Sequence, residues 1–435
     1  MIKLSKKLSV WLAVAVVAVV SVFIYKPRFI RDLANYNQPK PTTMPSDNSL
    51  EFLTLPEGFA IHKFAEGLEG PRVIVFDPKD RMLVSETGAG RVMLVEDTDK
   101  DGTAETKTVV LESLNKPHGL AFYSENNETY LYVAETHQVT RYRYDTKRGV
   151  VLDLVGKNIA TLPADGRHFS RTIGFGPNYR TVPILGGGSK IDTLTRDKLY
   201  ISVGSSCDVC VENTWKRAAI LESNPQGTYT AELAGGLRNS VFFAFHPETN
   251  EMWATDMGRD NLGDNLPPDE VNIIKAAGEE HEFGARRYGW PFCYGDKTKD
   301  KSFNPGKFER MDITTDCGQT EPPVIELPAH SAPLGLAFVP KDGGWPEEWR
   351  NNLLVAYHGS WNRSIPTGYK VARFDVDKNG ILSETSADGQ DFISGWLTSD
   401  GKTLGRPVDL KFGLDNALYI SDDSTGIIYR VVPIR

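Results

Sequence analysis

One arrangement of apolar and polar positions returns six times along the chain. Each copy opens with a proline or arginine, continues through apolar residues, turns, and enters a second short strand rich in Leu, Tyr and Val. The copies begin at Pro71, Pro117, Arg171, Arg238, Pro333 and Arg406. Their second strands begin at Met82, Tyr130, Leu199, Met252, Leu353 and Leu418. Such repeats, with almost no helical periodicity, predict an all-β, six-bladed β-propeller.

The same pattern predicts how the propeller begins, closes and is interrupted. The first blade is expected to run from about Phe52 to Val95, and residues 427–432 to pair with a strand near residues 59–64, closing the ring. Two segments interrupt the repeats, Asn178–Lys198 and Gly258–Glu326. Long loops on a rigid scaffold often carry function, so both are of interest.

The N-terminus predicts an export signal. Lys3, Lys6 and Lys7 precede a 17-residue apolar run from Ser9 to Tyr25, and basic residues follow it. This layout is typical of a secretory signal, and the run is marginally long enough to span a bilayer. Since no small-residue cleavage site follows, we expect an uncleaved inner-membrane anchor and a periplasmic propeller, with cleavage as the alternative. The predicted parts are 1–31 (anchor or signal peptide), 32–50 (linker) and 51–435 (propeller).

Charge and cysteine content narrow the class of protein further. The formal net charge is −8, with 49 basic and 57 acidic residues spread along 435 positions. No basic tract is present, so nucleic acid is not an expected partner. The four cysteines form two local pairs, Cys207 with Cys210 and Cys293 with Cys317. In an oxidising compartment these predict two disulfides, with redox catalysis or metal binding as alternatives.

Two Asp-rich turns could bind calcium. Residues 97–102 and 375–380 follow the spacing that begins a calcium loop, in which alternate carboxylates converge on one hard cation. Neither has glutamate at the twelfth position. Each is therefore interpreted as a polar hairpin turn, with a weak surface calcium site as the alternative.

In a propeller, equivalent positions of the innermost strands meet at the channel. Those positions hold Arg72, His118, Arg171, Arg238, Leu334 and Arg406. Clustered cations are costly unless anions neutralise them. The carboxylates that end the second strands, Glu86, Glu135, Asp256 and Asp422, could do so alone and form a closed polar plug. The alternative is a pocket for an anionic or polyhydroxy ligand.

His168 is the candidate base, because its pKa would lie near neutrality and it sits in a polar run beside a channel position. Arg238 and Asn239 pair a fixed cation with an amide, which suits stabilisation of a developing oxyanion. His330 and His358 flank channel strands of the fifth copy and are weaker candidates.

Several motifs resemble the sorbosone/glucose dehydrogenase family of six-bladed propellers that use pyrroloquinoline quinone (PQQ). The likeness runs from about Leu55 to the C-terminus. Its most specific stretches are residues 168–172, 200–210, 236–239, 263–270, 288–294 and 359–364. They look closer to the sorbosone dehydrogenase-like branch than to the soluble glucose dehydrogenases. The resemblance implies a quinoprotein that oxidises a sugar or sugar aldehyde by hydride transfer to the quinone.

The resemblance also implies roles for individual residues. His168 would take the substrate proton, and Arg238 would polarise the quinone carbonyl. The residues implied at the cofactor are Asn239, Arg406 and Arg363, and the channel positions add Arg171 and His118. The backbone carbonyls of Gly258 and Arg259 would hold the calcium that accompanies PQQ.

The sequence departs from the family in three places. Arg167 stands where glucose-oxidising relatives place an acid, so sugar contacts are expected to differ. The segments Gly278–Arg287 and Asn178–Lys198 are expected to lie over the mouth of the site. Because no c-type haem motif is present, electrons must leave to a separate acceptor, a cytochrome or a quinone.

Two other functions are compatible with a propeller. A metal-dependent lactonase would need Glu86, Glu135, Asp256 and Asp422 to converge on one axial cation. A non-catalytic propeller would bind a protein or glycan, which the fold alone does not exclude.

Overall fold

A computed structural model describes residues 49–434, apart from 178–180, 184–188, 192–196, 276–284 and 311–312. In this part the regular structure is β, with three short 3-10 turns (Cys317–Gln319, Glu347–Trp349 and Glu384–Ser386) and no α-helix. Six sheets of four or five strands form the blades. The predicted six-bladed all-β architecture is confirmed.

The first strand of the chain, β1 (Phe59–Ala65), belongs to the last blade. Blade 1 contains β2 (Pro71–Phe76), β3 (Met82–Glu86), β4 (Arg91–Glu96) and β5 (Thr106–Leu111). Blade 2 contains β6 (Leu120–Glu125), β7 (Glu128–Glu135), β8 (Gln138–Asp145) and β9 (Val150–Thr161). Blade 3 contains β10 (Ile173–Gly176), β13 (Lys198–Val203), β14 (Ala219–Ser223), β15 (Thr230–Gly235) and β19 (Arg286–Arg287). Between its first two strands lies a separate hairpin of β11 (Thr181–Pro183) and β12 (Ser189–Ile191).

Blade 4 contains β16 (Phe243–Phe245), β17 (Met252–Asp256), β18 (Asp269–Ile274) and β22 (Ile325–Leu327). Blade 5 contains β23 (Pro333–Phe338), β24 (Leu353–Tyr357), β25 (Lys370–Phe374) and β26 (Gln390–Ile393). Blade 6 contains β27 (Pro407–Phe412), β28 (Leu418–Asp422), β29 (Ile427–Pro433) and β1. A small hairpin of β20 (Cys293–Tyr294) and β21 (Thr298–Lys299) lies between the third and fourth strands of blade 4.

The second strand of each blade explains the apolar part of the repeat. Every residue of β3, β13, β17, β24 and β28 is buried. A strand covered on both faces carries a nearly continuous apolar run rather than an alternating one. Aromatic rings join neighbouring blades, as where the Phe59 ring packs 4.6 Å from that of Trp349 and Trp253 lies 5.5 Å from Phe338. The core therefore lies between the faces of the blades.

The predicted ring closure is confirmed, since β1 pairs with β29 in antiparallel register from Phe59–Pro433 to Lys63–Tyr429. The expected extent of the first blade, Phe52 to Val95, is wrong. Its strands begin at Pro71 and end at Leu111, because β1 joins the last blade. The apolar pattern shows that a strand exists and does not say which sheet it joins.

The expected insertion Gly258–Glu326 is too wide, because it contains β18 and part of β22 of blade 4. The true interruption lies between these two strands. Of the segment Gly278–Arg287, residues 278–284 lie outside the described residues, and Arg286 and Arg287 add a short strand to blade 3.

The Asn178–Lys198 segment leaves and re-enters blade 3 where Gly176 pairs with Lys198. That end of the blade is opposite to Thr172 and Ser202, where the channel becomes polar. Most of the segment lies outside the described residues, and its flanking strands do not favour a place over the site.

Both predicted disulfides are present, Cys207–Cys210 and Cys293–Cys317. The first Asp-rich turn joins β4 to β5, as predicted, and brings oxygen atoms of Asp97, Asp99, Asp101 and Glu105 within 4.8 Å of one another. Whether either Asp-rich turn binds calcium stays a prediction.

The predicted N-terminal helix lies outside the described residues. Within the part of the chain that is described, no helix has the length and apolar character needed to cross a membrane.

Candidate functional site

The channel has one polar end, where the innermost strands begin and the second strands finish. There the four carboxylates that close the second strands bind backbone amides. Asp256 accepts hydrogen bonds from the N–H groups of Arg238 (2.9 Å) and Asn239 (2.7 Å). Glu86 accepts from the amide of Glu69, Glu135 from that of Asn115, and Asp422 from those of Ser424 and Thr425. Each carboxylate therefore accepts hydrogen bonds from backbone N–H groups close to its own blade.

Two sequence-based interpretations of Glu86, Glu135, Asp256 and Asp422 are corrected by these bonds. Their hydrogen bonds go chiefly to local backbone, so they are not the main partners of the axial arginines. Among the described residues they also form no group close enough to hold one metal ion, as a lactonase would need.

A different set of acids neutralises the arginines. Asp423 pairs with Arg72 at 2.6 Å and with His358 at 2.8 Å. Burial would raise the pKa of Asp423, but His358, Arg72 and Arg406 together hold it below its ordinary value. Its carboxylate is therefore ionised across the physiological range.

Arg238 is held by Asp208 and Asp260. Its Nε donates to the Asp208 carbonyl (3.0 Å), and Nη2 donates to the carboxylates of Asp208 (2.8 Å) and Asp260 (3.2 Å). Nη1 donates to the Met257 carbonyl at 3.2 Å. Counting only partners in the described part of the chain, these contacts engage four of the five N–H bonds of a guanidinium and leave one on Nη1. Arg238 is thus a fixed cation with one donor to spare.

His168 is oriented by Ser205. Its Nδ1 lies 2.9 Å from the Ser205 carbonyl oxygen and 3.1 Å from the Ser205 hydroxyl. A carbonyl only accepts, so Nδ1 carries the proton and Nε2 of the neutral ring keeps its lone pair. Burial, then Arg238 and Arg167, lower the pKa of His168 well below its usual range. The ring is therefore neutral at physiological pH and can accept a proton at Nε2.

Gly204 separates His168 from Asn239. A Cβ at this position would lie 2.4 Å from the Asn239 side-chain oxygen and 2.8 Å from His168 Cβ. Neither distance is possible without movement, so the close approach of the two side chains requires glycine here.

A cavity of about 230 Å³ opens beside these groups. The lining residues on which its chemistry depends are Arg167, His168, Arg238, Asn239, Gly258 and Trp361. Arg167 lies 2.9 Å from Asp260, and its guanidinium carbon is 5.3 Å from the centre of the Trp361 ring. The cavity thus combines a free imidazole nitrogen, two arginines and an aromatic face.

Two predicted cofactor ligands support this cavity from outside its lining. Arg406 donates to the carbonyls of His358 (3.0 Å) and Gly359 (2.8 Å). Arg363 donates to the carbonyls of Asp264 (2.6 Å) and Ala329 (3.1 Å). Both arginines thereby brace the loop that carries Trp361, and their role at a cofactor stays a prediction.

Arg171 and His118 are buried and do not line the cavity. Arg171 donates to the carbonyls of Pro163, His168 and Ser170, which fixes the loop that presents His168. Burial lowers its pKa to about 9. His118 lies 3.4 Å from the Thr172 hydroxyl. A direct contact of either residue with a cofactor also stays a prediction.

Gly258 borders the cavity, and its amide donates to Asp269 at 2.8 Å. The guanidinium of Arg259 pairs with the buried Asp300 (2.8 Å). Within the described residues, no hydrogen bond ends on the carbonyl oxygen of either residue. Neither oxygen is therefore committed to a hydrogen bond there, and the calcium site at these two carbonyls stays a prediction.

His330 lines the same cavity and is tied through Nε2 to the Gly263 carbonyl (2.8 Å). Sequence reasoning missed Ser205, Asp208, Asp260 and Asp423. Two features of the sequence could have pointed to these acids. Asp208 lies inside the Cys-x-x-Cys motif, and Asp423 directly follows the strand-end residue Asp422.

The fold and the cavity define a six-bladed β-propeller protein with a polar site at one end of its channel. Within that class, the TrAA12-like family model matches residues 53–433, and the chain belongs to this family. The resemblance to the family of PQQ-dependent propeller dehydrogenases is therefore confirmed.

Relatives extend the comparison. A protein of Borreliella burgdorferi is 31% identical over 390 residues, covering 89% of this chain and 93% of the relative. The pyrroloquinoline quinone-dependent pyranose dehydrogenase of Coprinopsis cinerea is 24% identical over 426 residues. That match covers 87% of this chain and 54% of the enzyme, about half its length. The calcium structure of the Trichoderma reesei family AA12 carbohydrate-active enzyme superposes with a TM-score of 0.69 at 20% identity, covering 92% and 99% of the two chains.

Proposed function

We propose that this protein is a PQQ-dependent dehydrogenase that oxidises an aldose or related sugar aldehyde, with His168 as the general base. The observation that carries the proposal is the tautomer of His168. Ser205 holds the proton on Nδ1 and leaves Nε2 able to accept one, beside the spare donor of Arg238. A neutral imidazole next to a fixed cation is suited to removing a hydroxyl proton while negative charge develops nearby.

The residues present fit the proposed cofactor. PQQ is flat and carries three carboxylates. The cavity offers the aromatic face of Trp361 and the guanidinium groups of Arg167 and Arg238. Asp208 and Asp260 already balance their charges, so the site presents the remaining donor of Arg238 rather than a net positive charge to a carboxylate. The carbonyls of Gly258 and Arg259 would hold the accompanying calcium. When bound, PQQ would supply the acceptor for the hydride of the substrate carbon, which carries both electrons of the oxidation.

The chain itself supplies proton transfer and orientation. His168 Nε2 accepts the proton of the substrate hydroxyl or aldehyde hydrate. Arg238 donates its remaining N–H toward the charge that develops. Asn239 is its neighbour, and the Asn239 backbone N–H is held by Asp256. Because Asp208 and Asp260 hold Arg238 before substrate arrives, no side-chain reorganisation is needed at that residue.

Other parts of the proposal concern substrate and location. Arg167 at the mouth of the cavity favours a substrate different from glucose, and a sorbosone-like aldehyde is one candidate. The two disulfides favour an oxidising compartment, in which such bonds persist. A periplasmic location with an N-terminal anchor remains part of the proposal. Electrons would pass to a separate cytochrome or quinone.

Turnover should persist at acid pH. The active form of His168 is neutral, and its pKa is held below 6.5, so activity is retained as pH falls through 6.5 and is lost only below the depressed pKa. A kcat/KM profile between pH 4 and pH 8 checks this, and an acid limb centred at or above 6.5 would contradict it.

Reconstitution tests the function itself. The purified full-length protein, given PQQ and calcium, is expected to reduce a dye with aldoses or sugar aldehydes, and to require both additions. PQQ binding without turnover would point to a substrate outside the panel. Absence of PQQ binding would overturn the proposed function.

A further inference from the structure

One loop touches both residues proposed for the chemistry. Residues 204–212 follow β13 and contain the Cys207–Cys210 disulfide. From this loop, the Ser205 carbonyl and hydroxyl contact His168 Nδ1, and the Ser205 amide donates to the Arg238 carbonyl at 2.8 Å. The base and the arginine therefore take their positions from the same segment.

Asp208, between the two cysteines, is the centre of these contacts. Its carbonyl accepts from Arg238 Nε (3.0 Å) and Trp290 Nε1 (3.1 Å). Its carboxylate accepts from Arg238 Nη2 and from the Asp260 amide, both at 2.8 Å, and lies 3.8 Å from Arg167. Backbone and side chain of one residue thus grip Arg238 together, which requires that the chain turn sharply at Asp208.

Hydrogen bonds anchor the ends of the loop in addition to the disulfide. Buried Glu212 accepts from the Ser206 amide (2.5 Å) and hydroxyl (2.9 Å), and the Ser206 carbonyl accepts from the Arg167 amide at 2.7 Å. Between these anchors, the turn at Asp208 has no regular structure, and the bond between Cys207 and Cys210 is what closes it covalently. Both cysteines are partly exposed, so a soluble thiol can reach them.

The second disulfide offers a contrast. Cys293 and Cys317 are buried beside Phe292, and Phe308 stacks on the Phe292 ring. Its sulfur contacts include the Phe292 carbonyl and no part of His168 or Arg238. One disulfide therefore closes the loop at the site, while the other lies in a small apolar cluster that touches the loop only through Val211.

We propose that Asp208 is the positioning residue of Arg238 and that the Cys207–Cys210 bond keeps it in place, so that turnover depends on this bond. The inference rests on the proposed function. A dithiol reductant would transfer two electrons and two protons to the bond, giving two cysteine thiols and a cyclic disulfide of the reductant. The propeller would remain folded, because the blades do not depend on this loop.

Two paired variants test the inference, C207S/C210S and the control C293S/C317S. Without added PQQ, hydrogen exchange at the Arg167 and Asp260 amides is expected to accelerate about tenfold in C207S/C210S and to stay unchanged at Arg167 in the control. With PQQ and calcium, C207S/C210S should lose about tenfold in kcat with KM little changed, as expected from misplacement of a group that acts in the transition state. D208N, which keeps an oxygen acceptor, should lose less than D208A.

The two readouts separate the possible failures. Unchanged exchange at both amides in C207S/C210S would overturn the inference, as would equal loss of kcat in the two cysteine variants. The wild-type protein could show no PQQ-dependent turnover while the exchange in C207S/C210S changes as expected. The proposed function would then fail, and the positioning of Arg238 by Asp208 and the disulfide would stand.

Discussion

The His168→Gln variant is expected to fold normally and to lose about 10³-fold in PQQ-dependent kcat, in the range typical of a missing general base. A glutamine amide can still donate to the Ser205 carbonyl, which now accepts from His168 Nδ1. What the amide cannot do is accept a proton near neutral pH. Steady-state kinetics with saturating PQQ and calcium, beside a thermal melt, measures the effect.

His246→Gln is the matched control for this substitution. His246 is a buried imidazole, whereas His168 is partly buried. The His246 ring too is bonded to a carbonyl, that of Asp377 at 3.1 Å, but it lies away from the cavity. It should keep the wild-type kcat even if its melting temperature falls. Normal turnover in His168→Gln would show that another group takes the proton.

The fold was predictable because burial on both faces leaves a simple trace in sequence. The second strand of five blades is buried throughout, as in β3 and β24, and that of blade 2 is buried from Tyr130 onward, so each appears as a short, mostly apolar run. Six such runs at long spacing leave few architectures other than a propeller. The sheet that β1 joins was also predictable, since a propeller must close and the last strand needs a partner.

The site was predictable only in part from the repeated strand position. His168 and Arg238 do line one cavity, but Arg238 is the only one of the six repeated positions that does so, and His168 lies three residues before another, Arg171. The acids that hold the arginines could not be found in this way. Arg72 pairs with Asp423, 351 positions away, and the choice between neighbouring acids Asp422 and Asp423 depends on side-chain direction at a strand end.

Local irregularity is the physical reason for that limit. The register shifts near the start of the innermost strand in blades 1, 5 and 6, at Pro71, Pro333 and Pro407. A bulge redirects the side chains beyond it, so alternation no longer tells which acid faces the channel. In blade 4 the strand register is unbroken, and there the limit has another cause. Asp256 binds backbone amides, while Asp208 and Asp260, which lie in loops, supply the charge that sequence reasoning assigned to strand ends.

Arg238→Ala is expected to lower both turnover and stability, for separable reasons. Loss of its donor should reduce kcat about 10²-fold, as for removal of one oxyanion donor. Loss of its charge leaves Asp208 and the buried Asp260 facing each other with only Arg167 near, which should cost about 3 kcal/mol in the free energy of unfolding. Denaturant unfolding and steady-state kinetics measure the two losses.

The double variant Arg238→Ala, Asp260→Asn separates these effects. Burial, opposed by Arg238, already raises the pKa of Asp260, and removing the arginine should raise it further. A carboxyl group whose pKa is higher in the folded than in the unfolded state binds its proton more tightly when the protein is folded. The stabilisation that this gives is present at low pH and is lost as pH rises. Arg238→Ala should therefore be less destabilised at pH 5 than at pH 8, and asparagine at position 260 should restore most of the stability at pH 8. Turnover should stay low in the double variant, because the donor is still missing. If turnover returned with stability, Arg238 would serve only to neutralise the two acids.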